Sequence, residues 1–310
     1  MGQKSFNPAS EQCMICGGGT LHKYSAKAFD ATDNARVSIR ECSACSFAWQ
    51  YPLGRDVDQS REFFESAFSE GELGGNDYFS PDKKRQIAYA EMEFAAQLPC
   101  IGTKLLDVGA GSGIFAQTAA DAGWDVTAVD PALDCSKLVK CSQVRAVKGS
   151  LDDIANDTAY DVVTLWDVIE HVTDPVSLIT QVKPYVREEG WLIIETGNFK
   201  SADRIEGGLG HWIFQLDHRW YFSPESIAKV MREAGFTELV FSQKVLRPNW
   251  NGSTDYAGPS RFGLLKSILR RPLQIKKLLR LHVELLRAKA WDMSGIGIFA
   301  VAGRRGGTKH

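Results

Sequence analysis

The stretch "LLDVGAGSGIFAQTAADAGWDVTAVDP", Leu105 to Pro131, decides the fold. A short apolar run carries Asp107 and meets glycines at 109, 111 and 113. A helix-like stretch follows, and then a second apolar run that closes on Asp130. The order is strand, loop, helix, strand, the opening unit of an α/β nucleoside-binding sheet. Glycines let backbone approach a ligand closely, and the start of the following helix favours a negative group such as a carboxylate.

The spacing separates two kinds of nucleoside. A dinucleotide loop needs G-x-G-x-x-G or A, and the sixth position counted from Gly109 is Ile114. The pattern here is D-x-G-x-G-x-G, with a second acid after the second strand. S-adenosylmethionine (SAM) carries an amino-acid tail where a dinucleotide carries pyrophosphate. Asp107 can accept from that tail's ammonium, and Asp130 can take both ribose hydroxyls. The expected cofactor cradle is therefore Asp107, Gly109, Ala110, Gly111, Gly113, Asp130 and Pro131.

Working outward, strands are expected near 104–108, 125–129, 144–147, 161–165 and 191–195, alternating with helices. That alternation implies a parallel sheet covered on both faces. "SPESIAKVMREAGF" reads as a helix with Ser223 as N-cap, Pro224 in the first turn and Gly235 as the stop. "ELVFSQKV" and "GIGIFAVAGRR" supply a sixth and a seventh strand. The fold class is α/β: a seven-stranded Rossmann-like sheet, a small N-terminal module, and a helical insertion before the last strand. The expected division is 1–52 for the module, 53–99 for lid or linker helices, 100–248 and 291–305 for the nucleoside-binding domain, and 249–290 for the insertion.

Four of the seven cysteines fall as "CMIC" (Cys13, Cys16) and "CSAC" (Cys42, Cys45). Two C-x-x-C pairs at this separation resemble a zinc ribbon, in which four thiolates close a tetrahedral structural site with no open position for catalysis. Cys13, Cys16, Cys42 and Cys45 are the expected zinc ligands.

The chain has 310 residues, a formal charge of −2 and no apolar run long enough to span a membrane. Its start lacks the apolar stretch of a signal peptide, so a cytoplasmic location is expected. The charge is unevenly spread. From Arg261 to Lys289 nine Lys or Arg face one acid, Glu284, leaving the rest of the chain acidic. Nucleic acid is a poor partner for that acidic body. The basic segment is expected to form a helix over Ile275 to Ala288, with Leu278, Leu279, His282, Leu285 and Leu286 on one face. Lys276, Lys277, Arg280, Glu284 and Arg287 share the other. Either the helix packs on the body with its charges in water, or 261–289 makes peripheral contact with a membrane.

"WDVIEHVTDP", followed by a helix, "EEG" and an apolar strand, resembles the fourth and fifth strands of class I SAM-dependent methyltransferases. The signature from Asp167 to Pro175 is typical of the branch that includes quinone and sugar methyltransferases, and the resemblance runs from about Asn76 to Phe241. It implies that Trp166 and Asp167 lie beside the cofactor and that Leu151, with Asp152, lies where adenine stacks. The double cysteine pair before such a domain, with "DHRWYFS" at 217–223, is distantly similar to zinc-containing sugar C-methyltransferases. Here Asp217 stands where that family has Glu, and its large C-terminal domain is absent from this sequence.

The resemblance implies a methyl transfer from SAM to oxygen or carbon of a small metabolite, of sugar type or a lipid-linked glycan. Methyl transfer needs in-line positioning and a base near neutrality, for which histidine suits. His218 is the first candidate, oriented by Asp217 or Glu195. His171, where the fourth strand ends, is the second, and His211 on "GGLGHW" is the third. Tyr78 in "NDYFS" is a candidate lid residue over the methionine end. Rival readings are an RNA base methyltransferase with a zinc module, and a SAM-binding module without turnover.

Overall fold

A computed structural model describes residues 8–19, 21–29, 35–53, 80–99, 102–131, 133, 144–155, 158–243, 246–247, 265, 268–269, 275–287, 293 and 295–306. Tyr78 and most of 249–290 lie outside them. Strands β4 (Lys104–Val108), β5 (Asp125–Asp130), β6 (Val144–Lys148), β7 (Tyr160–Trp166), β8 (Val186–Gly197), β10 (Phe236–Phe241) and β11 (Ile298–Arg305) form one sheet. Its order is β10-β11-β8-β7-β4-β5-β6. β4 to β8 run parallel, and β11 enters antiparallel between β8 and β10. The seven-stranded α/β sheet expected from the apolar runs is therefore the fold.

The central strands are mainly apolar because both faces are covered. On one face α1 (Pro81–Ala96) and α2 (Ile114–Asp121) pack over Leu105, Val126, Val162 and Ile193. On the other, α3 (Pro175–Val182) and α5 (Pro224–Glu233) cover Leu106, Val163, Leu192 and Val301. Ser223 caps α5 as its sequence implies, accepting from the Ser226 amide, and Pro224 fills the first turn. The expected strand limits shift most at β8 and β10. β8 begins at Val186 and takes in "EEG", because Glu189 (φ 65°) and Gly190 form an irregularity that lets the strand continue. β10 begins at Phe236, immediately after Gly235 (φ 92°) ends the preceding helix.

A second sheet of four strands joins β1 (Leu21–Lys27), β2 (Arg36–Cys42), β3 (Ala48–Gln50) and β9 (Trp220–Tyr221) in that order. The first three come from the N-terminal module, and the fourth comes from the loop that carries Asp217 and His218. Phe47 stacks against Trp49 and Trp220 and leans on Phe222, with centroids 5.7, 6.2 and 5.2 Å apart. All four rings are buried, so the module's core is continuous with that of the large sheet.

Candidate active site

The glycine loop leaves β4 at its C-terminal end. Gly109, Gly111 and Gly113 have φ of 76°, 52° and 73°, a region where an L side chain is strained. A Cβ on Gly109 would also collide with Val168 Cγ2. The loop is tied to β5. Gly109 and Ala110 amides donate to Val129 O at 2.8 and 3.3 Å, and the Gly111 amide donates to Asp130 Oδ2 at 3.0 Å. Asp130 thus ends β5 with its carboxylate against the loop, and Pro131 follows it.

Asp107 is buried in β4 and accepts from Thr164 Oγ1 at 2.9 Å. Its Oδ2 is buried with no hydrogen-bond partner among the described residues. Burial pushes its pKa up to about 7, against the pull of the Thr164 hydroxyl. At the end of β7, Trp166 packs edge-on against Phe115 at 5.1 Å, and its Nε1 is likewise a buried donor without a partner among the described residues. One orphaned acceptor and one orphaned donor at the same edge of the sheet match the ammonium and carboxylate of an amino-acid tail. The residues present therefore fit SAM. Leu151 lies in a turn after β6, buried, with its carbonyl accepting from Tyr185 Oη at 2.9 Å.

Asp167 follows with φ 52°, its carboxylate paired to Arg247. The same guanidinium donates to Glu195 Oε1 from Nη2 at 2.7 Å and from Nε at 3.1 Å. Glu91 of α1 is buried beside them. Burial raises the Glu195 carboxyl to about 7, and it also raises Glu91 well above the usual carboxylate range, with the Glu195 charge adding to the effect. Glu195 is thus engaged by Arg247 rather than by His218. Arg247 and Glu91 carry no motif, and the sequence reading did not anticipate them.

The two histidine segments meet at the next position round the edge. His171 and His218 rings lie 4.8 Å apart at 77°, and His171 Nδ1 is 3.4 Å from Asp217 Oδ2. His218 Nδ1 lies 2.9 Å from Ile213 O, a carbonyl that can only accept. Nδ1 therefore carries the proton, and Nε2 of neutral His218 holds a lone pair. Burial, with the His171 charge adding to it, lowers the His218 pKa to about 4. For His171 burial acts the same way but Asp217 outweighs it, and the pKa rises to about 9. Asp217 is held well below its usual range: burial opposes ionisation, and the hydrogen bond and charge of His171 overcome it. Glu170 Oε2 and Asp217 Oδ1 are buried acceptors without partners among the described residues.

His211 does not join this group by any bond. Its Nδ1 accepts from the Ile213 amide at 3.3 Å, so Nε2 donates to Asp203 at 2.7 Å, and both nitrogens are used in holding its loop.

The His218 loop is braced from three sides. Gln50 of β3 donates its buried amide to Gln215 O at 2.6 Å, to His218 O at 2.7 Å and to Tyr221 Oη at 3.1 Å. The Gln50 backbone N–H donates to Arg219 O at 2.9 Å. Arg219 N–H donates to Glu170 O at 2.9 Å, and Trp220 Nε1 donates to Val172 O at 2.6 Å, which ties the two histidine segments together.

The four cysteines of the two pairs converge. Their sulfurs all lie within 4.8 Å of one another, with Cys13–Cys45 and Cys16–Cys42 Sγ distances of 3.5 Å. Zinc–thiolate bonds of ~2.3 Å place tetrahedral sulfurs ~3.8 Å apart, so the donor set fits that ion. Gly17 (φ 73°) turns the first knuckle, and the Gly18 amide points at Cys16 Sγ at 3.4 Å.

The sequence model of a methyltransferase-domain family matches residues 74–240, which hold the glycine loop, both histidine segments and Asp130. The chain belongs to that family of methyltransferase domains. Among curated relatives, a ubiquinone biosynthesis O-methyltransferase of Thiobacillus denitrificans is 30% identical over 152 residues, 44% of this chain and 66% of the relative. One from Cereibacter sphaeroides is 26% identical over 181 residues, 53% of this chain and 72% of the relative. The matched stretch spans 62–66% of the first such relatives, so it falls short of two thirds of their length.

Two solved structures share the fold. The 1,6-didemethyltoxoflavin-N1-methyltransferase of Burkholderia thailandensis, bound to S-adenosylhomocysteine, superposes with TM-score 0.51 at 14% identity, covering 91% of this chain and 100% of that one. A SAM-dependent methyltransferase of Thermotoga maritima does so with TM-score 0.50 at 15% identity, covering 79% and 98%.

Proposed function

We propose that this methyltransferase domain moves the methyl group of SAM to a hydroxyl oxygen of a small metabolite. The observation that carries the reading is the orphaned pair, Asp107 Oδ2 and Trp166 Nε1, beside a glycine loop held at positive φ. Asp107 would hold the ammonium, Asp130 the ribose hydroxyls, and Leu151 one face of the adenine. When bound, SAM supplies a methyl group activated by its sulfonium.

The chain's own residues then deal with the acceptor. Glu170 Oε2 and Asp217 Oδ1 can accept from hydroxyls and so select a hydroxylated molecule. His218 Nε2 is an empty proton acceptor, because burial keeps that ring neutral. His171, held protonated by Asp217, stabilises the oxyanion that appears as the hydroxyl proton leaves. His218 is the base in this reading and His171 with Asp217 its electrostatic partner. The four-cysteine cluster would hold zinc as a brace for β3 and, through Gln50, for the His218 loop.

The curated relatives, named for O-methyl transfer in ubiquinone biosynthesis, support oxygen as the acceptor atom. They lend no support to a sugar or lipid-linked glycan. A transfer assay with methyl-labelled SAM, run against small phenols, catechols, nucleotide sugars and RNA, tests the reading. Label on a hydroxyl of the first two groups is expected. Label on RNA alone would refute it, and so would SAM binding without any turnover on these acceptors. His218→Ala should lose turnover while keeping SAM affinity.

One observation favours a second reading of the same cluster. Ligand atoms of Glu170, His171 and His218 lie within 4.8 Å of one another, a spacing that suits a divalent cation. Activity that depends on added magnesium or manganese in the zinc-loaded protein would assign these residues to a metal instead of to proton transfer.

A further inference from the structure

The basic segment is not used by the methyl-transfer reading, and its exposed side chains do not follow the two-faced pattern of its sequence. Helix α6 (Ile275–Arg287) packs against α4 (Ala202–Gly207), and Leu278 is buried. Leu279, expected on the same inward face, is 44% exposed. It lines up with Ile275 and Val283, 44% and 43% exposed, at intervals of four residues. Side chains so spaced form one line along a helix. Lys276 and Arg280, also exposed, each follow a member of that line by one residue, about 100° further round. The helix therefore presents to solvent an apolar line bordered by cations, with its remaining contact turned to the body.

The same character precedes it. Leu265 and Leu269, four residues apart, are 55% and 74% exposed. Half of the exposed large apolar side chains among the described residues fall between 265 and 283, in a segment carrying nine cations and one acid from 261 to 289. An apolar line alone would fit a protein partner or a second copy. The concentration of positive charge, on a chain that is otherwise acidic, selects a surface that is both negative and apolar beneath. No described helix is long and apolar enough to cross a membrane.

We propose that α6 and the exposed leucines before it form a peripheral docking surface for anionic lipid. Apolar side chains enter the headgroup region while Lys276 and Arg280 meet lipid phosphates. α4, against which α6 packs, begins five residues after β8 ends. The docking does not depend on which acceptor is methylated.

Vesicle sedimentation tests it. The full zinc-loaded chain is mixed with vesicles of phosphatidylcholine alone or with one third phosphatidylglycerol, at low and at high salt. The expected result is sedimentation with the anionic vesicles only, reduced by salt. Lys276→Glu with Arg280→Glu should weaken binding by at least ~10-fold, and Leu279→Asp with Val283→Asp should do the same. All four positions are exposed, and unchanged melting and S-adenosylhomocysteine binding would show that the variants fold. Absence of binding at low salt would overturn the proposal. So would variants that sediment like the parent, or a dimer that the Leu279 and Val283 changes dissolve with no lipid effect.

Discussion

Gln50 lies far from the glycine motif in sequence and touches no expected ligand, yet its replacement should impair catalysis selectively. Its side chain is buried and donates to the carbonyls of Gln215 and His218 at 2.6 and 2.7 Å. Gln50→Ala takes this donor from both carbonyls, the one of His218 buried and the one of Gln215 partly so. At about 1 kcal/mol for each lost hydrogen bond, plus a small cavity, the fold should lose about 3 kcal/mol. The loop gains freedom at the residue proposed as base, and a displacement of ~1 Å there is worth about 100-fold in rate. We expect kcat to fall ~10- to 100-fold. SAM affinity should stay within about twofold, because the glycine loop is bonded to Val129 and Asp130 and not to the small sheet.

The pH profile separates positioning from mere destabilisation. Burial holds the His218 pKa at about 4 in the intact protein. A loosened loop admits water, so the pKa should climb toward its ordinary value of ~6.5. The acid limb of kcat should rise with it, since His218 must be neutral to accept a proton. Stopped assays across pH 4–10, with calorimetry for SAM, measure both quantities. A variant with lowered melting temperature but unchanged kcat and pH profile would refute the argument. So would parallel loss of SAM affinity.

Three further outcomes follow from the same geometry. Asp107 has its pKa raised to about 7 and must be ionised to hold an ammonium, so SAM binding expels a proton. Affinity measured calorimetrically should fall about tenfold per pH unit below 7, and Asp107→Asn should bind weakly with no such slope. Gly109→Ala places a side chain at φ 76° against Val168; it should cost roughly 2–4 kcal/mol in denaturant melts and abolish SAM binding. Metal analysis should find one zinc per chain, and Cys42→Ser should lower stability by ~5 kcal/mol or more and take the His218 loop with it. Full activity in a zinc-free protein would remove the brace from the account.

The nucleoside half of the molecule was readable because its signals are local. β4, β5, β7 and the second half of β8 each hold a short, mainly apolar run, and the loop glycines adopt positive φ. The acid–His pair at Asp217 and His218 was legible as chemistry, and His171 as its companion in type. Their contact was not, because residues 46 apart meet only once the two segments fold together, tied by the Arg219–Glu170 and Trp220–Val172 hydrogen bonds. Gln50, Glu91 and Arg247 escaped altogether. Each is a single polar residue in an unremarkable stretch, and burial gives it meaning only once three segments converge. The orientation of α6 escaped for a different reason. Its leucines satisfy more than one helical face, and only burial in the fold tells Leu278, buried, from Leu279, exposed.

The most direct test of the central claim is calorimetric titration of nucleosides into the zinc-loaded chain at pH 8, where Asp107 is ionised. SAM should bind at one site per chain. Asp130→Ala removes a charged acceptor of two hydroxyls at a cost of about 3 kcal/mol, so it should weaken binding ~100-fold. NADH should give no heat. Binding of NADH in place of SAM, or SAM affinity indifferent to Asp130, would contradict the account.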